Sequence, residues 1–443
     1  MPFLIEPVRP LYRHLATIGP AAMLVLAVAG TGCVHYVAHP IDSAGSAAAL
    51  SGRRLAAGTW TLERLTREAV QSQPGVLLAR AQYETAQAAI RTAGERPNPT
   101  VALLPQVVTP WSLILGTYSV DFDWTVETAG KRSRRLAVAR AGGRAAAARV
   151  IEATWKARAA VRKAFLELYA AEERAKLLTE AVARQDELLK LLESRVQAGA
   201  ESRATTAQPR LLQVQLRLQS SEADKAAGAA RAALAEALGM GTNGLSDAKF
   251  AFGAFEKIRS AASAANRRAA LTHRADVLAA LADYAAAEST LRLEVAKQYP
   301  DIHLNPGYQL DAGENKWALG VGLTLPILNQ NRGPIAEAEA KRKEAAAKFN
   351  VVQAGVLADC DRATAAVNAA KAKLAMADEL LAGQEKVLGS EQRLVASGEG
   401  DKLSLLSAQV ERATTLTVRL DALVEWQTAL GALEEATQTP LEP

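Results

Sequence analysis

"CDRATAAVNAAKAKLAMADELLAGQEKVLGSEQRLVASG", residues 360–398, is a segment that this chain states twice. Cys360, Val367, Leu374, Leu381, Leu388 and Val395 recur every seven residues and run into Gly398. The positions 199 earlier hold Val161, Leu168, Ala175, Val182, Leu189 and Val196, and they lead into Gly199. Six apolar residues at one spacing, twice, ahead of the same glycine, specify two long helices with a coiled-coil seam that end in the same kind of turn. A second stripe keeps the offset: Ala164, Ala171, Leu178, Gln185 and Leu192 stand against Ala363, Ala370, Ala377, Gln384 and Glu391. Its small residues let helices approach closely, and the matched glutamines point to a polar layer that fixes register. Beyond the turns, Ala204, Leu211 and Leu218 answer Leu403, Val410 and Thr417. Each half therefore reads as a long helix, a glycine break and a return helix. From Lys131 to Gln197 the first long helix would extend about 100 Å at 1.5 Å per residue. Neither stripe is wide enough to bury a helix all round, so partner helices are required.

The repeat also reaches upstream. "VLLARAQYETAQAAI" from Val76 matches "VLAALADYAAAESTL" from Val277, with Tyr83 answering Tyr284, and both run into a proline, Pro99 and Pro300. The period then changes from helical to alternating. Val120, Phe122, Trp124 and Val126 alternate with smaller or polar residues, as do Leu319, Val321, Leu323 and Leu325. With "TVALLPQVV" and "DIHLNPGYQL" before them, these segments predict two pairs of amphipathic strands of the length a tilted transmembrane strand needs. Trp111, Tyr118, Trp124, Tyr308 and Trp317 are the aromatic residues an interfacial belt would use. A β-hairpin packed on a soluble domain would alternate in the same way. If the strands do span a membrane, four are too few to close a barrel, and open edges cannot face hydrocarbon, so several copies must pool them.

The composition suits long helices packed through small side chains: 22% charged and 5% aromatic residues in 443, with a net charge of +5. Basic blocks interleaved with aromatics are missing, which argues against nucleic-acid binding. No Ser-His-Asp order, phosphate loop, HExxH or clustered Cys/His marks an enzyme or a cofactor site. His35 and His39 would share a face only on a helix, and Pro40 favours a loose tail instead; His273 and His303 stand isolated. "GMGTNG", residues 239–244, reads as a plain loop. Cys360 is most simply a small core residue. At the N-terminus, Arg9 and Arg13 precede the apolar run "IGPAAMLVLAVAG" and the small residues before Cys33, the pattern of a secretory signal over 1–32. The residues before Cys33 resemble a bacterial lipobox, with Gly30 where a larger apolar residue is usual, so lipidation at Cys33 is expected; a plain signal cut nearby is the alternative.

Taken together, both helix–strand–strand–helix repeats, both glycine turns and the strand-to-helix junctions resemble the TolC family of outer-membrane efflux channels, over roughly residues 60–438. That resemblance implies a mainly α fold with a small transmembrane β part. Two tandem repeats would join a trimeric, twelve-stranded β-barrel to a periplasmic α-helical tunnel. It divides the chain into a linker (33–59), repeat 1 (60–240, strands about 100–127, hairpin about 131–238), an equatorial segment (241–271), repeat 2 (272–438, strands about 301–325, hairpin about 332–436) and a tail (439–443). It also implies a homotrimer in the outer membrane, working with a periplasmic adaptor and an inner-membrane pump of the resistance-nodulation-division (RND) class, with outer-membrane lipid around it. The junction Gly130-Lys131-Arg132, followed by Arg134 and Arg135, and the run Leu325–Ala338 with Asn331 and Gly333 look like the heavy-metal (CzcC-like) branch, so metal-cation export is expected ahead of organic compounds. A periplasmic adaptor or a structural coiled coil would leave the paired strands unexplained.

In that family the two turns form the periplasmic tip, the gate and the adaptor-docking surface. This places Gly199, Glu201, Gly398, Glu399, Asp401, Ser404 and Ser407 at the candidate site. Where relatives read Asp-x-Leu-Asp-Ala, this chain has Ser404, Leu405, Leu406, Ser407 and Ala408, leaving Glu201, Glu399 and Asp401 as substitute acids. Their simpler role is to cap the return helices while the glycines supply left-handed backbone. At the junction, four cations beside a helix N-terminus oppose the macrodipole and call for a compensating partner, such as lipid phosphate or acidic groups of a partner protein. A solvated turn is the plain alternative.

Overall fold

The computed structural model describes residues 35–106, 117–256, 264–311 and 313–440. The signal region, Cys33 and Trp111 lie outside them. Residues up to Ala49 form a unit of their own, in which His35 and His39 lie in exposed irregular chain before helix α1 (Ser43–Gly52). From Leu50 onward, β1 (Gly58–Trp60) and α2 (Leu62–Ser72) lead into the first repeat. That repeat comprises α3 (Pro74–Gly94), β2 (Thr100–Gln106), β3 (Thr117–Val126), α4 (Lys131–Gln197) and α5 (Ala207–Ala237). After β4 (Ala248–Phe250), α6 (Gly253–Glu256) and α7 (Ala264–His273), the second repeat follows as α8 (Ala275–Ala296), β5 (Ile302–Asp311), β6 (Glu314–Leu323), α9 (Arg332–Ser397) and α10 (Lys402–Thr437). Local chemistry sets the ends. Pro74 sits in the first turn of α3, where its missing N–H is not needed, and the Gln73 side chain accepts the Val76 N–H at 3.0 Å.

The heptad seam is the packed face. Val161, Leu168, Cys360, Val367 and Leu374 are buried, whereas Val196 and Val395, next to the turns, are only half-buried. The polar layer is real and repeated: Gln185 Nε2 donates to the Pro209 carbonyl at 2.8 Å, and Gln384 Nε2 to that of Ala408 at 3.4 Å. Gln185 is buried and meets that one carbonyl, so any slip of the return helix would strand it; Gln384 is half-buried and also donates to Glu411 Oε2 at 3.0 Å, which makes its hold on register weaker. The return helices are not equivalent, however. α10 packs against both α9 and α4, while α5 packs against α4. Val410 is consequently buried, but its counterpart Leu211 is exposed, as are Val214 and Leu218.

The thickest core surrounds Phe165, at the midpoint of α4. Phe250, Phe252 and Phe255 from the 241–256 stretch pack their rings 5.8, 4.9 and 5.6 Å from it. Next to this cluster, the buried Arg162 donates to Gln427 Oε1 at 3.0 Å, and Gln427 Nε2 donates to the Phe255 carbonyl at 2.9 Å. The segment expected as a linker is partly built into this belt. β1 pairs in parallel with β4, the Leu55 N–H donates to Gly244 O at 2.9 Å, and Arg53 Nη1 donates to Leu238 O at 3.1 Å. Pairing between strands so distant in sequence leaves no local signal, which is why those residues read as a linker.

The other four strands form one antiparallel sheet in the order β2-β3-β5-β6. Register sorts its faces. Val120, Phe122 and Trp124 share one face with Leu304, Leu319 and Val321, and Trp317 and Leu319 are 82% and 75% exposed. Asp121, Asp123, His303, Asn305, Gln309 and Lys316 occupy the opposite face. His303 is not isolated there: its Nδ1 lies 3.1 Å from Asp123 Oδ1 and 3.3 Å from Thr125 Oγ1. Among the described residues no helix is long and apolar enough to cross a membrane.

Candidate functional site

Each sheet exit turns into a long helix through two consecutive left-handed residues, Ala129 and Gly130 (φ 53° and 67°) and, 201 positions on, Gln330 and Asn331 (φ 50° and 56°). Ala and Gln take that conformation at a cost of about 1 kcal/mol each, so the surroundings must hold it. In repeat 1 the hold is Lys131, which is 8% exposed and whose Nζ donates to Tyr299 O and Asp301 Oδ1, both at 2.7 Å. Thr128 adds its N–H to Asp301 Oδ1 at 2.9 Å and its Oγ1 to Pro300 O at 2.6 Å. Burial pushes the Asp301 carboxyl up, but the Lys131 ammonium and the Thr128 amide outweigh it and hold the group below the ordinary aspartate range.

The compensating partners of this basic cluster are largely internal. Arg135 pairs with Glu127 and donates to Glu95 O at 3.1 Å, and Arg132 Nε donates to Gly94 O at 2.6 Å. The last carbonyls of α3 thus receive cationic donors, a favourable arrangement at a helix C-terminus. In repeat 2 Asn331 Nδ2 instead bonds Glu294, at its carbonyl (2.7 Å) and its Oε2 (3.0 Å). Gly333 has open space where a Cβ would stand, so no contact within the protomer requires a glycine there.

The two turns match in backbone detail. Gly199 N–H donates to Val196 O and Ala200 N–H to Arg195 O, at 3.0 and 2.9 Å. Gly398 N–H donates to Val395 O and Glu399 N–H to Leu394 O, at 3.2 and 3.0 Å. This paired closure is the Schellman motif, which needs a left-handed residue past the helix end; Gly199 and Gly398 supply it with φ of 74° and 79°. A Cβ on Gly400 would lie 2.6 Å from Val395 N, a constraint that no pattern in the sequence marked. Caps follow at the same offset: Ser202 Oγ accepts the Ala204 N–H and Asp401 Oδ1 the Leu403 N–H, both at 3.2 Å.

Asp401 is already engaged within the protomer. It caps α10 and also accepts from Arg195 Nη1 at 3.0 Å, tying the end of α4 to the second turn. That bond first, then the Leu403 amide, holds the Asp401 carboxyl below its ordinary range. Glu399 stays exposed and Glu201 half-exposed beside it. Ser404 and Ser407 are exposed on α10, and Ser407 lines a groove of about 610 Å³ with Leu188, Leu192, Leu211, Leu212 and Leu403. Sequence reasoning missed Arg195, because a cross-hairpin ion pair has no spacing to betray it. Among the described residues no group of three or more His, Cys, Asp or Glu converges to hold a metal ion.

The model of the outer membrane efflux protein family matches residues 65–240 and 266–438, the two repeats in turn. This chain belongs to that family. A relative within reach by sequence is the cobalt-zinc-cadmium resistance protein CzcC of Cupriavidus metallidurans (strain ATCC 43123 / DSM 2839 / NBRC 102507 / CH34), 26% identical over 287 residues, which are 64% of this chain and 67% of CzcC. Among solved structures, the outer membrane protein VceC of Vibrio cholerae superposes with a TM-score of 0.68 at 22% identity, covering 86% of this chain and 97% of that one. CusC, described for conformational changes accompanying folding and transmembrane channel formation, gives 0.69 at 16% identity over 85% and 91%. These likenesses establish the fold of this family member: mostly helical, in two repeats, with the sheet at one end of the long helices.

Proposed function

We propose that this efflux-family chain is the outer-membrane channel subunit of a tripartite system, working as a homotrimer with a periplasmic adaptor and an RND pump to export heavy-metal cations. The observation that carries the reading is the sheet: one apolar, exposed face, one polar face and two unpaired edges, β2 and β6. Unpaired edges cannot rest in lipid. Eight strands, from two copies, would close a barrel filled by its own side chains; twelve, from three copies, leave a bore. The exposed stripes Leu211, Val214 and Leu218 on α5 and Met376, Leu380, Val387 and Leu394 on α9 are apolar faces that neighbouring copies would cover. Cation cargo is supported by the likeness to CzcC and by the polar face, where Asp121, Asp123, Asp311 and Glu314 outnumber Lys316. Lipidation of Cys33 would add an anchor. The test is a deletion strain complemented with this chain. We expect a heat-modifiable trimer in isolated outer membranes and restored growth on zinc, cobalt or cadmium salts. A monomer in the soluble fraction would refute the channel, and rescue from dyes and detergents alone would refute the metal cargo.

A further inference from the structure

Of the four cations at the repeat 1 junction, Lys131 and Arg135 are neutralised by Asp301 and Glu127. Arg134 is not. Its Nε donates to the Ala129 carbonyl at 3.3 Å, and among the described residues no carboxylate pairs with it. Arg134 lines a crevice of about 510 Å³ together with Tyr299, Pro300, Ile302 and Leu323. Ile302 and Leu323 are directly paired across β5 and β6, and their alternation places them on the apolar face of the sheet, at its helical end. Tyr299 is exposed beside them, and the apolar rim continues past β6 with Leu325, Ile327 and Leu328, all exposed. An unneutralised guanidinium over an apolar slot, at the limit of a membrane-facing surface, has the chemistry of a lipid headgroup site: arginine recognises phosphate oxygens in a bidentate fork, and the slot accepts the first methylenes of a chain.

We propose that this crevice seats a glycerophospholipid from the leaflet on the helical side, its phosphate on Arg134 and an acyl chain along Ile302 and Leu323. The inference rests on the reading of the sheet as membrane-spanning. A lipid held there would brace the left-handed Ala129–Gly130 step against the membrane at the place where sheet motion passes to α4.

The test uses the full-length oligomer extracted in detergent, titrated with phosphatidylglycerol and, separately, with diacylglycerol, and read by native mass spectrometry. Variants are Arg134→Gln, Arg134→Lys and, as a charge-matched control at the far tip, Arg203→Gln. We expect retention of phosphatidylglycerol but not diacylglycerol, weakened about tenfold or more by Arg134→Gln, partly kept by Arg134→Lys and unaffected by Arg203→Gln. Equal retention in all four proteins, as a neighbouring copy seated in the crevice would give, overturns the proposal. So does complete displacement by excess inorganic phosphate. In both cases the membrane-inserted oligomer itself remains, leaving the channel reading intact. A wild-type chain found only in the soluble fraction would sink both.

Discussion

Lys131→Met is the most informative single change at the junction. The wild-type ammonium makes two charge-assisted bonds of 2.7 Å, to Tyr299 O and Asp301 Oδ1, from a side chain that is 10% exposed. Bonds of this kind each contribute about 1.5–3 kcal/mol, but the loss will not be the full sum. Asp301 keeps the Thr128 N–H at 2.9 Å and a side chain 28% open to water, so its charge is not stranded, and methionine refills the slot with apolar atoms. A net local cost of about 2–3 kcal/mol follows, against less than about 1 kcal/mol for Arg132→Met, whose exposed side chain contributes one bond. Because this contact joins the repeat 1 exit to the start of β5, its loss should appear as local opening. Amide hydrogen exchange at residues 128–131 and 301–303 should accelerate about 30- to 140-fold, since each 1.4 kcal/mol is a factor of ten. Asp301→Asn should cost at least as much as Lys131→Met: an amide oxygen still accepts both donors, but the ammonium, only 10% exposed, loses its counter-charge. Exchange within about twofold of wild type, or an equal effect of Arg132→Met, would refute the reasoning.

At the tip, Arg195→Gln and Asp401→Ser should each lengthen open times in planar bilayers, with the double variant no worse than either; serine keeps the α10 cap, so additive effects would show that the ion pair is not the shared cause. The Asp401 carboxyl is depressed in the fold, so its contribution is present above the ordinary value of 3.8 and lost as pH falls below it. Bilayer recordings of the wild type should therefore show no Asp401-dependent change between about pH 5 and 8. Gly398→Ala meets open space and should cost about 1–2 kcal/mol for its left-handed backbone. Gly400→Ala drives a Cβ into backbone and should cost more, with proteolysis at the turn as the readout. Phe165→Ala removes a fully buried ring from the belt at about 3–5 kcal/mol and should sharply lower the yield of heat-modifiable trimer, unlike Phe122→Ala on the exposed sheet face.

Much of the fold was legible because it rests on local periodicity. Heptad spacing, the change from a helical to an alternating pattern, and a glycine after each seam are written in neighbouring residues. They imposed two repeats, the long helices and the strand pairs, and even the Gln185 and Gln384 layer could be read as register pins. The candidate tip was legible in its glycines and less so in its acids: Asp401 stood out as a charge at a turn, but its partner Arg195 lies 206 positions away.

What only the tertiary structure decided concerns who meets whom across long separations. Matching letters put Leu211 and Val410 in equivalent places, yet one is exposed and the other buried, because α10 packs along both long helices, α9 and α4, while α5 packs along α4. The basic cluster after β3 pointed outward by composition, but folding brought Asp301, Glu127 and the carbonyls of α3 to most of it and left Arg134 over the apolar crevice. Periodicity is a property of one segment and survives in the sequence. Partnership depends on the arrangement of several segments, which the burial of the whole chain selects.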